Sequence, residues 1–326
     1  MERNKRPALA RLGAGALALA DPRAGADWVA WAEDRAERVL KVETYIARHN
    51  ALAYMEAPDA DPRSLADAVQ VLALPDGLPM QAAQFRAGED GWKPYVVADG
   101  VAVVPVRGLL VKELGWIGSS WATGYAELRW QIETALADPE VRGVALWIDS
   151  GGGLVAGLLE TGRWLRQARE HKPIAAVIDG AACSAAYWLA AQADSIAAPE
   201  DGCVGGIGVY AVHWSFAKAI EEMGARPTII RAGAHKAEGN ELEDLPAEVQ
   251  TRWQAEIDES RQVFAEEVAA GRGARLDASG ALATEALAYT GRSQMAEALR
   301  LGLVDAVAPA EEALAAFTAS LAAARG

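Results

Sequence analysis

The sequence is poor in the residues that build metal centres and disulfide frameworks. Among its 326 residues only two are cysteines, Cys183 and Cys203, and only four are histidines. Two cysteines make neither a disulfide framework nor a complete tetrahedral zinc site. Few cysteines are typical of a reducing compartment, and we therefore expect a cytoplasmic protein.

An excess of basic charge and a long apolar run are also lacking. The formal net charge is −14, which argues against a nucleic-acid partner because such proteins present a basic face. No stretch approaches the roughly 20 apolar residues that span a bilayer, so we expect no stable membrane span. The run "LGAGALALA" follows three basic residues like a short signal peptide, but Arg11 precedes it closely and its glycines and alanines are weakly apolar, so secretion is not expected.

What is present is an ordinary globular composition, with 52% hydrophobic and 23% charged residues. The length favours one main domain with an added segment. Residues 1–92 are alanine-rich with apolar residues at helical spacing, which predicts an α-rich segment of unknown role. We place the main domain at residues 93–310 and a C-terminal tail at 311–326.

From Tyr95 onward short apolar strands alternate with helical patterns. The predicted strands are a hairpin at 95–111 that turns at Asp99-Gly100, then 141–149, 173–179, 195–199, 206–214 and 226–233. The predicted helices cover 125–137, 154–169, 184–193, 216–223 and roughly 246–270. Such alternation predicts an α/β fold, a mostly parallel sheet with helices packed on it.

The stretch "WIDSGGGLVAG", residues 147–157, joins a buried strand directly to a helix through glycines. Unhindered main-chain N–H groups at a helix start stabilise a developing negative charge, so the turn is a candidate oxyanion hole. A flexible connection is the simpler interpretation. The glycine spacing of nucleotide-binding loops is lacking.

The stretch "AACSAAYWLAAQA", residues 181–193, puts a single serine, Ser184, at the start of an apolar helix. The serine follows a strand, so it lies at the carboxyl edge of the predicted sheet, where α/β proteins place their sites. Its residue type and position fit a helix cap, a small packing residue or a nucleophile, with the N–H of Ala185 as an oxyanion donor.

A nucleophilic serine needs a base, and the histidines are poor candidates because none is followed by an obvious orienting carboxylate. His49 and His171 lie in polar surroundings and His213 alternates with strand residues. A lysine also serves when burial keeps it neutral. Lys236, in the glycine-bearing loop "RAGAHKAEGNELEDLP", is the candidate, although most lysines are solvated surface charges.

Four stretches in the same order resemble the signal-peptide-peptidase-A type of serine peptidase, and most closely its branch of bacteriophage prohead proteases. They are "WIDSGGG", "AACSAAYWLAAQADSIAA", "VGGIGVYAVHWSFAKAIEEMGARPTIIRAGAHKAEGNELEDLPAEV" and "YTGRSQMAEALRLGLVDAV", within residues 95–308. The resemblance implies a ClpP/crotonase-like fold. The main domain would then be a Ser-Lys peptidase domain.

Carried over to this sequence, the resemblance implies that Ser184 is the nucleophile and Lys236 the general base. Gly152 or Gly153, with the N–H of Ala185, would form the oxyanion hole. It also implies no metal and no cofactor, a ring-like homo-oligomer with a dyad shared between subunits, and a phage scaffold or portal-associated protein as substrate. The sequence departs from the family where Gly206 replaces a common serine and Gly151 a frequent proline.

Three other functions remain open at this point. One is a cellular peptidase that degrades signal peptides or other peptides. A second is a crotonase-like enzyme that acts on acyl-CoA, which would share the oxyanion hole but not the serine and lysine. The third is a catalytically inactive capsid-assembly module with residues 1–92 as its docking element.

Overall fold

The computed structural model describes residues 93–115, 117 and 121–323, and the main chain alone of residues 18–20. The strands are β1 (Ala18–Ala20), β2 (Val96–Ala98), β3 (Val101–Val111), β4 (Ala122–Gly124), β5 (Gly143–Leu154), β6 (Ile174–Cys183), β7 (Ser195–Ala198), β8 (Cys203–Gly205), β9 (Ala288–Thr290) and β10 (Ala306–Val307). The helices are α1 (Tyr125–Ala137), α2 (Leu158–Ala168), α3 (Ala185–Ala191), α4 (Ala217–Glu222), α5 (Ala247–Arg272), α6 (Ala278–Ala283), α7 (Gly291–Arg300) and α8 (Ala310–Ala323). Apart from β1, the predicted α-rich segment 1–92 lies outside the described residues.

One sheet organises the described chain, with the strand order β10-β7-β6-β5-β3-β2. Strands β10, β7, β6, β5 and β3 pair in parallel, and only the edge strand β2 runs antiparallel along this path. Parallel neighbours need crossover connections, and helices α1, α2 and α3 provide them. The predicted α/β class, a layered sheet with packed helices, is confirmed.

Both faces of the sheet are buried, as the uninterrupted apolar run of β5 predicts. Leu146 and Ile148 pack in the larger core with α1, α2, α3 and α5. The alternate residues Ala145 and Trp147 pack in a second core against α8, which contributes Leu314 among others. Each face therefore has its own helical layer.

Local patterns predicted most of these elements. Helix α1 has the predicted bounds, and the hairpin between β2 and β3 turns at Asp99 and Gly100, whose φ angles of 47° and 79° suit a primed hairpin turn. Strand β6 continues farther than predicted, to Cys183, and helix α2 begins only at Leu158.

The strands predicted at 206–214 and 226–233 are wrong. Residues 209–246, which we call the lysine arm, contain no strand and only the short helix α4, which buries none of its residues. Val212 and Ile230 supplied the apolar signal, yet they are 43% and 95% exposed because no neighbouring strand pairs with them. Hydrophobic pattern alone does not provide a pairing partner.

Membrane-spanning helices were searched for in the described part of the chain. None of its helices combines the length and the apolar character that crossing a bilayer requires.

Candidate active site

The pairing of β5 with both of its neighbours, β3 and β6, becomes irregular near the end of β5. Against β3, the pairing passes from Arg107–Asp149 to Leu109–Gly152, so β5 contains one extra residue. Against β6, the pairing passes from Ile148–Ile178 to Ser150–Ala182, so β6 contains two extra residues. Bulges of this kind redirect chains beside active sites. Here they bring Gly151–Gly153 and the start of α3 to the same end of the sheet.

Ser184 joins β6 to α3 in a strained conformation. Its φ and ψ are 54° and −124°, a region that non-glycine residues avoid, and its main-chain N–H donates to the carbonyl oxygen of Gly205 at 2.8 Å. The residue is fully buried, and its Oγ has no hydrogen-bond partner. The interpretation of Ser184 as a hydrogen-bonding helix cap is wrong, because it stands at the cap position but its side chain makes no cap bond.

Helix α3 holds Ser184 from behind. All of its residues are buried, and Trp188 stacks on Phe264 of α5 with ring centroids 4.8 Å apart. Burial raises the pKa of Tyr187, whose neutral hydroxyl donates to the carbonyl oxygen of Leu303 at 2.8 Å. The buried amide of Gln192 donates to the main chain of Glu267 and so ties α3 to α5. Ser184 is therefore followed by a fully buried helix that is held by packing and hydrogen bonds.

The predicted turn at a helix start is wrong, because Gly151–Gly153 belong to β5, which continues to Leu154, and α2 begins only at Leu158. We call Gly151–Gly153 the glycine turn, and its N–H groups are not equivalent. Gly152 has a φ of 112°, and its N–H already donates to Ser150 Oγ at 3.1 Å. At Gly153 a Cβ atom would lie 2.0 Å from the carbonyl oxygen of Leu110, so only glycine fits. Of the two glycines predicted as oxyanion donors, Gly153 is the one whose N–H is not committed to Ser150.

An extended segment already lies beside this turn. Residues Ala18–Ala20 pair antiparallel with Gly152–Leu154, while Leu109 and Leu110 of β3 pair on the other edge of Gly152 and Gly153. The edge of β5 that pairs with β6 as far as Ser150 therefore pairs with β1 from Gly152 onward. A peptide main chain can bind there by strand addition.

Lys236 and Ser184 differ in burial, because Ser184 is fully buried and Lys236 is exposed in the single chain. Lys236 lies in the lysine arm, its N–H donates to the carbonyl oxygen of Gly233 at 3.2 Å, and its ammonium makes no hydrogen bond or ion pair with any described residue. The arm is fastened near the lysine, since Glu238 pairs with Arg252 of α5. The structure thus brings Ser184, Ala185 and the glycine turn together, but leaves the lysine in solvent.

No described histidine forms a hydrogen bond with the Ser184 hydroxyl, which has no partner. The expectation that no histidine has an orienting carboxylate is wrong for His235, which pairs with Glu238. His213 is half-buried and its Nε2 lies 3.0 Å from the carbonyl oxygen of Asn240, while His235 is exposed and pairs with Glu238. His171 is exposed on the turn before β6. Over the same residues, no group of three His, Cys, Asp or Glu side chains is arranged to hold a metal ion.

Two features beside the nucleophile could not be interpreted from the sequence. Gly206 has a φ of 64°, and a Cβ there would lie 3.3 Å from Ser184 N, which explains glycine where serine is common. The hydrogen bonds of Ser150 were not predicted, and their only signal was a hydroxyl residue directly before the glycine run.

Cys183 and Cys203 are both buried, and their Sγ atoms lie 3.4 Å apart.

The chain is similar to two curated phage proteins. The head-tail preconnector protein GP5 of Enterobacteria phage P21 is 37% identical over 75% of this chain and 48% of its own length. The capsid assembly protease C of Escherichia phage lambda is 33% identical over 77% of this chain and 57% of its own length. The chain thus spans about half the length of these curated relatives.

Among solved structures, a 1510-N membrane-bound stomatin-specific protease aligns with a TM-score of 0.40 and 18% identity, over 64% of this chain and 75% of that one. The profile of Peptidase family S49 matches residues 166–324, which include α3, the lysine arm and the C-terminal helices. Together with the phage relatives, this match shows that residues 166–324 belong to peptidase family S49, the signal-peptide-peptidase-A type that the motifs resemble.

Proposed function

We propose that the chain is a serine endopeptidase of phage capsid assembly, with Ser184 as nucleophile and Lys236 as general base. The observation that carries the proposal is Ser184 itself, which is fully buried, has a strained backbone and leaves its hydroxyl without a partner. An unsatisfied hydroxyl and a strained φ both cost free energy, and such costs concentrate at functional sites. Most buried structural hydroxyls have a hydrogen-bond partner.

In the proposed mechanism, neutral Lys236 takes the proton of the Ser184 hydroxyl as its oxygen attacks the carbonyl carbon of a peptide. The N–H groups of Gly153 and Ala185 stabilise the resulting oxyanion. The lysine ammonium then protonates the leaving amine as the carbon–nitrogen bond breaks. A water molecule, activated by the same lysine, hydrolyses the acyl-enzyme and frees Ser184.

The substrate is expected to bind as an extended strand. The edge of Gly152–Leu154 that receives β1 supplies main-chain donors and acceptors for such a strand. Strand addition directs a peptide toward Ser184, because β5 and β6 last pair at Ser150 and Ala182, two residues before the nucleophile. This mode of binding depends on main-chain contacts and suits an endopeptidase.

We infer that a second copy of the chain completes the site. A lysine accepts a proton only where it is withdrawn from water, and Lys236 is exposed in one chain. The lysine arm also carries six of the ten large apolar residues that are exposed in the described chain, which are Val212, Trp214, Phe216, Met223, Ile230 and Leu242. Clustered exposed apolar residues mark association surfaces, which supports a homo-oligomer with a shared dyad.

The relatives suggest the setting of the reaction. Their names refer to a head-tail preconnector and to a capsid assembly protease. We therefore propose that the substrate is a protein of the assembling prohead, a scaffold or portal-associated protein. The proposed place of action is the cytoplasm of the host cell or the prohead itself.

The proposal is tested by incubating the chain with a candidate scaffold protein and measuring intact masses. We expect wild type to cleave the scaffold and Ser184→Ala and Lys236→Ala to leave it whole. Lys218→Ala is the matched control, because Lys218 is another exposed lysine of the arm. Cleavage by Ser184→Ala would overturn the proposal, and a whole scaffold with every protein would favour an inactive assembly module.

A further inference from the structure

The two register irregularities of β5 meet at one residue, Ser150. On the β3 side, Gly108 faces two residues of β5, Ser150 and Gly151, because the pairing skips from Asp149 to Gly152. On the β6 side, Ser150 is the last residue of β5 in register. A bulge removes main-chain groups from the ladder, and buried groups of that kind must find other partners.

The Ser150 hydroxyl supplies those partners. Its Oγ donates to the carbonyl oxygen of Gly108 at 2.6 Å and accepts the N–H of Gly152 at 3.1 Å. The side chain is 2% exposed, so water does not compete for either bond. One hydroxyl therefore replaces the ladder rung that the bulge breaks, and links β3 to the glycine turn.

The hydrogen bond to Ser150 Oγ holds the N–H of Gly152, the residue directly before the proposed oxyanion donor Gly153. Glycines are free to rotate, and Gly152 has a φ of 112°, which only glycine adopts readily. Fixing the Gly152 N–H fixes the peptide plane before Gly152, so that only the φ and ψ of Gly152 lie between this plane and the Gly153 N–H. An oxyanion donor works only when it is aimed before the reaction begins.

We infer that Ser150 is a positioning residue that aims the oxyanion donor of the glycine turn through its hydroxyl. The inference rests on the proposed function, in which the Gly153 N–H stabilises the oxyanion. Ser150 touches no reacting atom. It acts by keeping the turn from rotating away, so its loss lowers the rate of the chemical step and leaves substrate binding unchanged.

The test compares wild type with Ser150→Ala and Ser150→Thr, and uses Thr161→Ala as matched control. Thr161 is 3% exposed and donates to the carbonyl oxygen of Gly157 at 2.7 Å, so its loss removes a similar bond at the start of α2. A fluorophosphonate probe reports the reactivity of Ser184 by intact mass. A quenched peptide, chosen from the sites that wild type cuts in β-casein, gives kcat and KM.

We expect Ser150→Ala to lower kcat and the labelling rate by about 10- to 100-fold, with KM within about twofold. Ser150→Thr keeps a hydroxyl and should recover most of the rate, while Thr161→Ala should react like wild type. Should Ser150→Ala fail to fold, Ser150→Cys serves instead, because a thiol fills the space but hydrogen-bonds weakly.

Labelling of Ser150→Ala at the wild-type rate would overturn the inference while leaving the proposed function intact. A rise in KM at constant kcat would also overturn it, since it would assign Ser150 to substrate binding. If wild type itself is neither labelled at Ser184 nor active on the peptide, the proposed function fails and the inference fails with it. All variants are then equally inert, which distinguishes the two failures.

Discussion

The main-chain N–H of Ser184 donates to the carbonyl oxygen of Gly205, and this 2.8 Å bond fastens the nucleophile to β8. The next residue, Gly206, has a left-handed φ of 64° and lies next to the Ser184 main chain. A side chain at this position would press on the Ser184 main chain at 3.3 Å. The backbone at Gly206 therefore forms part of the support of the proposed active site.

We expect Gly206→Ser to lower both stability and activity. A non-glycine residue with left-handed φ costs about 1 kcal/mol, and the new Cβ would also displace Ser184. The control is Gly291→Ser, since Gly291 has a φ of 75° but nothing within 4 Å of its Cβ position. Both variants should unfold at lower urea concentration, but only Gly206→Ser should lose peptidase activity. Equal activity in the two variants would contradict this account.

The buried guanidinium of Arg272 forms a two-pronged ion pair with Asp305, at 2.9 and 2.8 Å. Asp305 also accepts the N–H of Ile196 and so joins α5 to β7. We expect Asp305→Asn to lower the free energy of unfolding by about 2–4 kcal/mol, because it leaves a buried charge without its partner. Denaturant unfolding measures this, and Glu297→Gln, which breaks the exposed pair with Arg300, should change stability far less.

The same pair predicts how stability depends on pH. Burial alone would raise the pKa of Asp305, but hydrogen bonds and charge from Arg272 hold that pKa below its ordinary value. A carboxyl with a lowered folded-state pKa contributes stability above its unfolded pKa of about 3.9, and loses it as pH falls through the folded pKa. The stability difference between wild type and Asp305→Asn should therefore shrink below about pH 4. A difference that stays constant to pH 2 would argue against it.

The exposed apolar residues of the lysine arm predict an association surface. We expect Phe216→Asp and Ile230→Asp to shift the protein to a smaller species in light scattering and to remove peptidase activity, because a charge opposes burial between chains. Leu299→Asp is the control, as Leu299 is 42% exposed outside the arm. If the arm variants keep both the assembly and the activity of wild type, the arm is not the contact.

Sharing of the dyad between chains predicts complementation. Ser184→Ala and Lys236→Ala should each be inactive, but mixed subunits would form sites that combine one intact serine with one intact lysine. Random mixing in equal amounts gives at most about a quarter of wild-type activity, since each residue is intact in half of the chains. Subunits are exchanged by unfolding and refolding together. No recovery in correctly assembled mixtures would place both residues in one chain.

The sequence predicted those features that depend on local pattern. Helix α1, the hairpin at Gly100 and the place of Ser184 after β6 follow from periodicity and turn chemistry. The strands predicted at 206–214 and 226–233 are wrong, although the helix predicted between them is found as α4, because apolar residues occur on exposed surfaces as well as in strands. The bond from Ser150 to Gly108 and the buried Arg272 join residues far apart in sequence, which no local pattern encodes.

The most direct test of the account is covalent labelling of the nucleophile. Wild type, Ser184→Ala, Lys236→Ala and Lys218→Ala are each treated with a fluorophosphonate, and the modified residue is located by peptide mass spectrometry. The account predicts an adduct on Ser184 in wild type and Lys218→Ala, none at that position in Ser184→Ala, and labelling at least about 100-fold slower in Lys236→Ala. An adduct elsewhere, or Lys236→Ala labelled at the wild-type rate, would contradict the Ser-Lys dyad.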